Sequence, residues 1–166
     1  MKTLTLKMIV SALVLGPLVH AKNAPTKCTI KAYDGHFLTA VGGGGRTSDV
    51  IHSDAKKAQA WEIFTLVDSD KGTPNITYGI QTSKGFFLTA VSGGGRTTDV
   101  IHSDARNIRD WEEFQLESLG NDWYAIKTYN GNYLTAQDSG GRITDVIHSD
   151  ARRIGNWEKF KVKCGL

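Results

Sequence analysis

The chain has little that would mark it as an enzyme, a membrane protein or a nucleic-acid binder. No Gly-x-Ser-x-Gly, HExxH or phosphate-loop sequence occurs in its 166 residues, so the common hydrolase, zinc-protease and nucleotide-binding signatures are missing. Its one pronounced apolar run, Met8 to Leu15, is shorter than the roughly 20 residues a spanning helix needs. Charge of one sign is also short in supply. Of the 20 Lys and Arg, Lys2 and Lys7 precede that run, so 18 basic residues face 17 acidic ones in the remainder. A nucleic-acid binder is expected to show a basic stripe or a marked excess. None is legible along the chain, and Lys56-Lys57 and Arg152-Arg153 read as solvated loop charges. Cysteine is scarce as well, with Cys28 and Cys164 alone.

The first residues form a sequence of a different kind. Lys2 and Lys7, the apolar Met8–Leu15, a Gly16-Pro17 break and Val19-His20-Ala21 read as a secretory signal peptide cleaved after Ala21. Residues 22–166 then form one domain, with no further apolar run long enough for a membrane span, in a secreted or extracellular protein, or a periplasmic one in a bacterium. No cofactor or metal ligand set is read from the sequence.

What is present is one module written three times. RTSDVIHSDA at Arg46–Ala55 returns as RTTDVIHSDA at Arg96–Ala105 and as RITDVIHSDA at Arg142–Ala151, with spacings of 50 and 46 residues. A period of that size marks a repeat architecture. Each copy runs through a G-x-[FY]-L-T-A segment, a glycine turn, the DVIHSDA segment, a variable linker and W-E-x-F, giving repeats at about 27–70, 77–119 and 123–164. The segments are short, β-branched or aromatic, and bounded by Asp-Gly, Lys-Gly and Asn-Gly, which is strand and hairpin punctuation. The glycine runs lead into strands and read as turns rather than phosphate cradles. Ile30, Leu38, Phe64 and Leu66 recur as Ile80, Leu88, Phe114 and Leu116, then as Ile126, Leu134, Phe160 and Val162, with the period of two of half-buried strands. Four strands per copy and twelve in all predict an all-β fold, a β-trefoil with pseudo-three-fold symmetry, in which a short barrel is capped by three hairpins.

The three G-x-[FY]-L-T-A and W-E-x-F segments in register resemble a fascin-type β-trefoil repeat, across essentially all of the chain after the signal. The resemblance implies a binding module. Fascin itself is a cytoplasmic actin bundler with four trefoils, single modules accompany secreted bacterial enzymes, and trefoils include many lectins. It transfers no ligand residue to any position here. In a trefoil the first and last strands are neighbours, and Cys28 stands where the other copies carry Tyr78 and Tyr124. A Cys28–Cys164 disulfide in an exported protein follows as an expectation.

Divergence between the copies points to a site. The linkers after DVIHSDA have drifted, from Lys56-Lys57-Ala58 to Arg106-Asn107-Ile108 and Arg152-Arg153-Ile154, while DVIHSDA is unchanged. Burial accounts for Val50 and Ile51 but seldom for Asp, His, Ser and Asp together. Strand alternation puts Ile51, Ser53 and Ala55 toward the barrel and His52 and Asp54 outward. The candidate ligand-binding residues are therefore Arg46, Asp49, His52 and Asp54, with Arg96, Asp99, His102, Asp104 and Arg142, Asp145, His148, Asp150 as equivalents, over three shallow polar pockets. Carboxylate, guanidinium and imidazole suit paired sugar hydroxyls, with Phe37, Phe87 or Tyr133 as the aromatic neighbour. A glycan or polysaccharide, bound multivalently, is the expected partner. A protein partner, on a cell surface, of actin type, or a secreted enzyme that the chain inhibits, is the alternative. The competing structural reading makes His52 and Asp54 a hydrogen-bonded pair that fixes each hairpin. Glu62, Glu112 and Glu158 are expected to bond backbone donors at the barrel rim, and Trp61, Trp111 and Trp157 to lie in the core. Trp123 falls outside the repeat pattern and is a candidate stacking residue. The third copy departs at Asp138-Ser139 and Ile143, so its site is expected to differ.

Overall fold

The structure, a computed structural model, describes residues 23–69 and 75–166. The segment read as a signal peptide falls in residues 1–22, outside the described residues. The first repeat forms β1 (Thr26–Lys31), β2 (Phe37–Ala40), β3 (Ile51–Ala55) and β4 (Ile63–Asp68). The second forms β5 (Tyr78–Gln81), β6 (Phe87–Ala90), β7 (Ile101–Ala105) and β8 (Gln115–Gly120), and the third β9 (Trp123–Lys127), β10 (Tyr133–Ala136), β11 (Ile147–Ala151) and β12 (Phe160–Cys164).

Antiparallel pairing joins β12 to β1, β1 to β4, β4 to β5, β8 to β9 and β9 to β12. An isolated bridge between Tyr78 and Phe114 links β5 to β8. Six strands therefore close into a barrel, and the hairpins β2–β3, β6–β7 and β10–β11 cap it. The architecture is the β-trefoil that the sequence predicts. Its core is the three-fold apolar set: Phe64, Phe114 and Phe160 are fully buried, with Ile30, Ile80, Ile126, Leu38, Leu88 and Leu134 around them. Burial of each such side chain stabilises the fold by about 1.5–3 kcal/mol. Cys28 and Cys164 face each other across β1 and β12 and are bonded as a disulfide.

Each cap contains a β-bulge. In the first, Phe37 pairs with Ala55 and Thr39 with His52, so one extra residue of β3 is accommodated in the Ser53–Asp54 stretch. A bulge leaves backbone groups unpaired within its own ladder. Here they pair with the preceding repeat around the barrel. The Ser53 N–H donates to Arg142 O at 2.8 Å and Ser53 O accepts from Gly141 N at 2.7 Å. Ser103 bonds Arg46 and Gly45 in the same way, and Ser149 bonds Arg96 and Gly95. The three serine hydroxyls are fully buried and accept from the backbone N–H of Arg142, Arg46 and Arg96 at 3.1, 3.2 and 3.1 Å. A closed ring of three identical clasps therefore ties repeat to repeat. The invariant Ser of DVIHSDA is explained by this ring.

The glycine turns belong to the same seams. Gly44, with φ +103°, lies so close to the buried Thr82 of the next repeat that a Cβ there would meet Thr82 Oγ1 at 2.3 Å, and Gly94 stands likewise against Thr128. At the rim, Glu62 accepts from the Thr39 hydroxyl at 2.7 Å and the Gln59 N–H at 2.8 Å. Glu112 and Glu158 repeat this with Thr89 and Arg109 N, and with Thr135 and Gly155 N. The expected backbone donors are present, joined by a threonine hydroxyl.

The tryptophans depart from expectation. Trp61, Trp111 and Trp157 are 46%, 47% and 40% exposed rather than core. The reason is parity: each immediately precedes a buried or half-buried Glu and stands three residues before a buried Phe, on the outward side of that segment.

Candidate functional site

Arg46, Asp49 and His52 come together at the start of β3 because Asp49 is left-handed, with φ 48°. Asp99 and Asp145 adopt the same φ of 48°. A short polar side chain is among the few that tolerate this conformation outside glycine. It swings each carboxylate back over the hairpin. Asp49 Oδ1 lies 2.6 Å from His52 Nε2, Asp99 Oδ1 2.6 Å from His102 Nε2, and Asp145 Oδ1 2.7 Å from His148 Nε2. The second carboxylate oxygen faces arginine, with Arg46 Nη2 at 3.3 Å, Arg96 Nη2 at 3.6 Å and Arg142 Nη2 at 3.8 Å. Each guanidinium is oriented by Nε donating to the backbone of Ser48, Thr98 or Thr144 at 3.1–3.2 Å.

The histidine partner is therefore Asp49 and not Asp54. The structural pair read from the sequence, His52 with Asp54, joined two residues on one strand face, whereas Asp49 precedes the strand and reaches His52 through its turn geometry. Asp54, Asp104 and Asp150 point outward as expected and are exposed, and no side-chain partner is seen for any of them among the described residues. The aromatic neighbours expected for the site are elsewhere. Phe87 is buried, while Phe37 and Tyr133 lie at the far end of their hairpins, opposite Ala55 and Ala151, under Lys31 and Lys127. The turns that carry Trp61 and Trp111 pack against the turns Val41–Gly43 and Val91–Gly93 that lead into Arg46 and Arg96.

The three hairpins also meet. Residues 47–51, 97–101 and 143–147 converge on one cleft of about 540 Å³ on the pseudo-three-fold axis, so Asp49, Asp99 and Asp145 border a shared opening. The third copy differs in detail, because Arg142 Nη1 is drawn to Asp138 across the altered turn. The clusters are exposed, and exposed ion pairs contribute about 0–1 kcal/mol to stability. Each places a fork of donors beside a two-oxygen acceptor. Among the described residues no group of three or more His, Cys, Asp or Glu is arranged to hold a metal ion.

No protein-family model and no curated protein sequence matches the chain. Solved structures do. A designed three-fold symmetric protein, ThreeFoil, aligns with a TM-score of 0.65 at 13% identity over 83% of this chain and 96% of its own. The chain is a β-trefoil. The Rhizoctonia solani agglutinin aligns at TM-score 0.66 and 13% identity, over 86% of this chain and 97% of the agglutinin. An exo-β-1,3-galactanase from Clostridium thermocellum aligns at 0.67 and 14%, over 82% of this chain and 30% of the enzyme. At such identities the likeness establishes the fold alone. No helix among the described residues is long and apolar enough to cross a membrane.

Trp123, singled out from the sequence as a stacking residue, is half-buried with its ring 5.5 Å from that of Tyr33, tilted by 42°. Leu119, Ile154 and Lys159 complete a cleft of about 750 Å³ around the two rings. The trefoil thus carries a non-repeated aromatic cleft besides its three repeated clusters.

Proposed function

We propose that this trefoil is a secreted, non-catalytic carbohydrate-binding module, a single module of the fascin-like kind, with up to three related sites built on Arg46–Asp49–His52 and its two equivalents. The observation that carries the reading is the three-fold recurrence of an exposed Arg–Asp–His side-chain cluster; the seams use only the backbone of its arginines. Each cluster offers a planar donor fork and a carboxylate to paired hydroxyls. The exposed Trp61, Trp111 and Trp157 replace Phe37, Phe87 and Tyr133 as the aromatic faces. Single sites of this open kind are weak, because hydration of both partners must be overcome. Three on one axis raise avidity for a clustered or polymeric glycan by about 10²–10⁴. An agglutinin among the structural neighbours is in keeping with this reading.

A glycan and polysaccharide array tests it, with the protein beside a variant carrying Asp49→Ala, Asp99→Ala and Asp145→Ala. Binding that the folded variant loses, and that a free monosaccharide competes away, is the expected result. Equal binding by the variant removes these clusters from recognition. The exposed tryptophans favour a second reading, a protein interface, since Trp is enriched among interface hot spots. Binding that no monosaccharide displaces and that Trp61→Ala abolishes would select it.

A further inference from the structure

The barrel has three pseudo-equivalent strand pairs that bring together the last strand of one repeat and the first of the next: β4–β5, β8–β9 and β12–β1. Their outward residues are not equivalent. On β4–β5, Thr65 stands opposite Gln81. On β8–β9, Gln115 stands opposite Lys127, and Lys127 is neutralised by Glu117 at 3.4 Å. On β12–β1, Lys161 stands opposite Lys31 and Lys163 opposite Thr29, with Lys27 two residues further along β1. Lys159 precedes β12 on the same parity. None of these five lysines is ion-paired among the described residues; Lys159 donates to Asn156 Oδ1 at 3.3 Å and the Lys31 ammonium lies 4.3 Å from the Phe37 ring centroid. The sequence shows no basic stripe because this one is divided between the two ends of the chain.

Like charges directly opposite on neighbouring strands are destabilising. The fold does not need them, since the same positions elsewhere hold Thr65 and Gln81. The stripe also ends on the aromatic cleft: Lys161 Nζ is 5.7 Å from the Trp123 ring and Lys159 Nζ 6.0 Å from the Tyr33 ring. At the equivalents of Trp123 the other copies carry Lys27 and Thr77, so cleft and stripe coincide in one place only.

We infer that the β12–β1 face and the Tyr33–Trp123 cleft form a single binding site for an anionic glycan, distinct from the three repeated clusters. A sugar ring lies against Trp123 and Tyr33 through its C–H face, and its carboxylate or sulfate groups are held by Lys159, Lys161 and Lys31. Opposed lysines stand about 5 Å apart and successive outward ones about 7 Å, a spacing that suits a polymer charged on each sugar. A polyphosphate is the poorer fit. With 18 basic residues against 17 acidic ones after Lys7, the chain lacks the long-range field that gathers nucleic acid.

The test compares polygalacturonate, a sulfated glycosaminoglycan, neutral dextran and single-stranded DNA as probes of the purified protein. The variants borrow residues from the equivalent positions of the other copies: Lys31→Gln with Lys161→Thr, after Gln81 and Thr65 of the β4–β5 pair, and separately Trp123→Thr, after Thr77. A charge-matched control carries Lys56→Gln with Lys57→Asn. The expected result is binding of one or both anionic glycans, not dextran, weakened about tenfold or more by the strand pair variant, as loss of charge-assisted contacts predicts, and little by the control. Trp123→Thr is expected to weaken glycan binding without changing net charge. The choice between polygalacturonate and the sulfated chain reads carboxylate against sulfate. Equal losses in strand and control variants, no effect of Trp123→Thr, or tighter binding of DNA than of either glycan would each overturn the inference. If the double variant does not fold, Lys161→Thr with Lys163→Thr takes its place. The Asp49, Asp99 and Asp145 triple variant keeps this binding, which separates the site from the repeated clusters.

Discussion

Replacing Ser103 with Ala, and in parallel Asp104 with Ala, tests how the invariant DVIHSDA segment divides into residues the fold requires and residues it leaves free. Ser103 is fully buried, and its hydroxyl accepts the Arg46 N–H at 3.2 Å across the seam between the first two repeats. Alanine removes that acceptor and leaves the part-buried N–H without it, a loss of about 1–3 kcal/mol. The backbone bonds of Ser103 to Arg46 and Gly45 at 2.8 and 2.6 Å remain, so about 1–2 kcal/mol is the expected range within that principle. Asp104, one residue on, is exposed and has no side-chain partner among the described residues, so its loss should fall within about 0.5 kcal/mol. Equilibrium urea denaturation, followed by tryptophan fluorescence, reads both as midpoint shifts at unchanged slope. Replacing Ser53, Ser103 and Ser149 together opens all three clasps of one ring, so the triple loss should differ from the sum of the singles. The reasoning is refuted if Ser103→Ala is as stable as wild type, or if Asp104→Ala costs as much.

Removing the disulfide with Cys28→Ala and Cys164→Ala, which span 136 residues, should lower stability by about 3–5 kcal/mol in the chain-entropy account; a denaturation midpoint unchanged on reduction would contradict it. Phe114→Ala empties a fully buried position at the centre of the core and should cost about 3–5 kcal/mol, whereas Trp111→Ala, at an exposed position, should cost distinctly less by the same measurement. The Tyr78 phenol is held above its ordinary value of 10.0, first by burial, then by the Asp68 carboxylate and by Tyr124. The folded state therefore keeps a proton that the unfolded chain releases, and stability present below pH 10 falls as pH rises through the raised value. Tyr78→Phe should flatten that alkaline decline, as read from melting temperature across pH 9–11.

The chain's own repetition determined its architecture. Three apolar sets with strand periodicity, separated by turn residues, admit few solutions besides a closed three-fold barrel, and Phe64, Phe114 and Phe160 are buried where alternation puts them. Alternation also placed Ile51, Ser53 and Asp54 correctly, and applied to Trp61 it would have placed that ring outside. It suggested Asp54 as the partner of His52, but a left-handed turn residue obeys no strand parity, and the carboxylate that pairs with His52 is Asp49. It could not show why Ser53 recurs, since the partner of a bulge residue lies 89 positions away at Arg142. Nor could it show a cationic face assembled from Lys27 and Lys31 at one end and Lys159, Lys161 and Lys163 at the other. Local pattern fixes which way a side chain points within its own strand. Which side chains then become neighbours depends on barrel closure, and closure brings the first strand of this chain against the last.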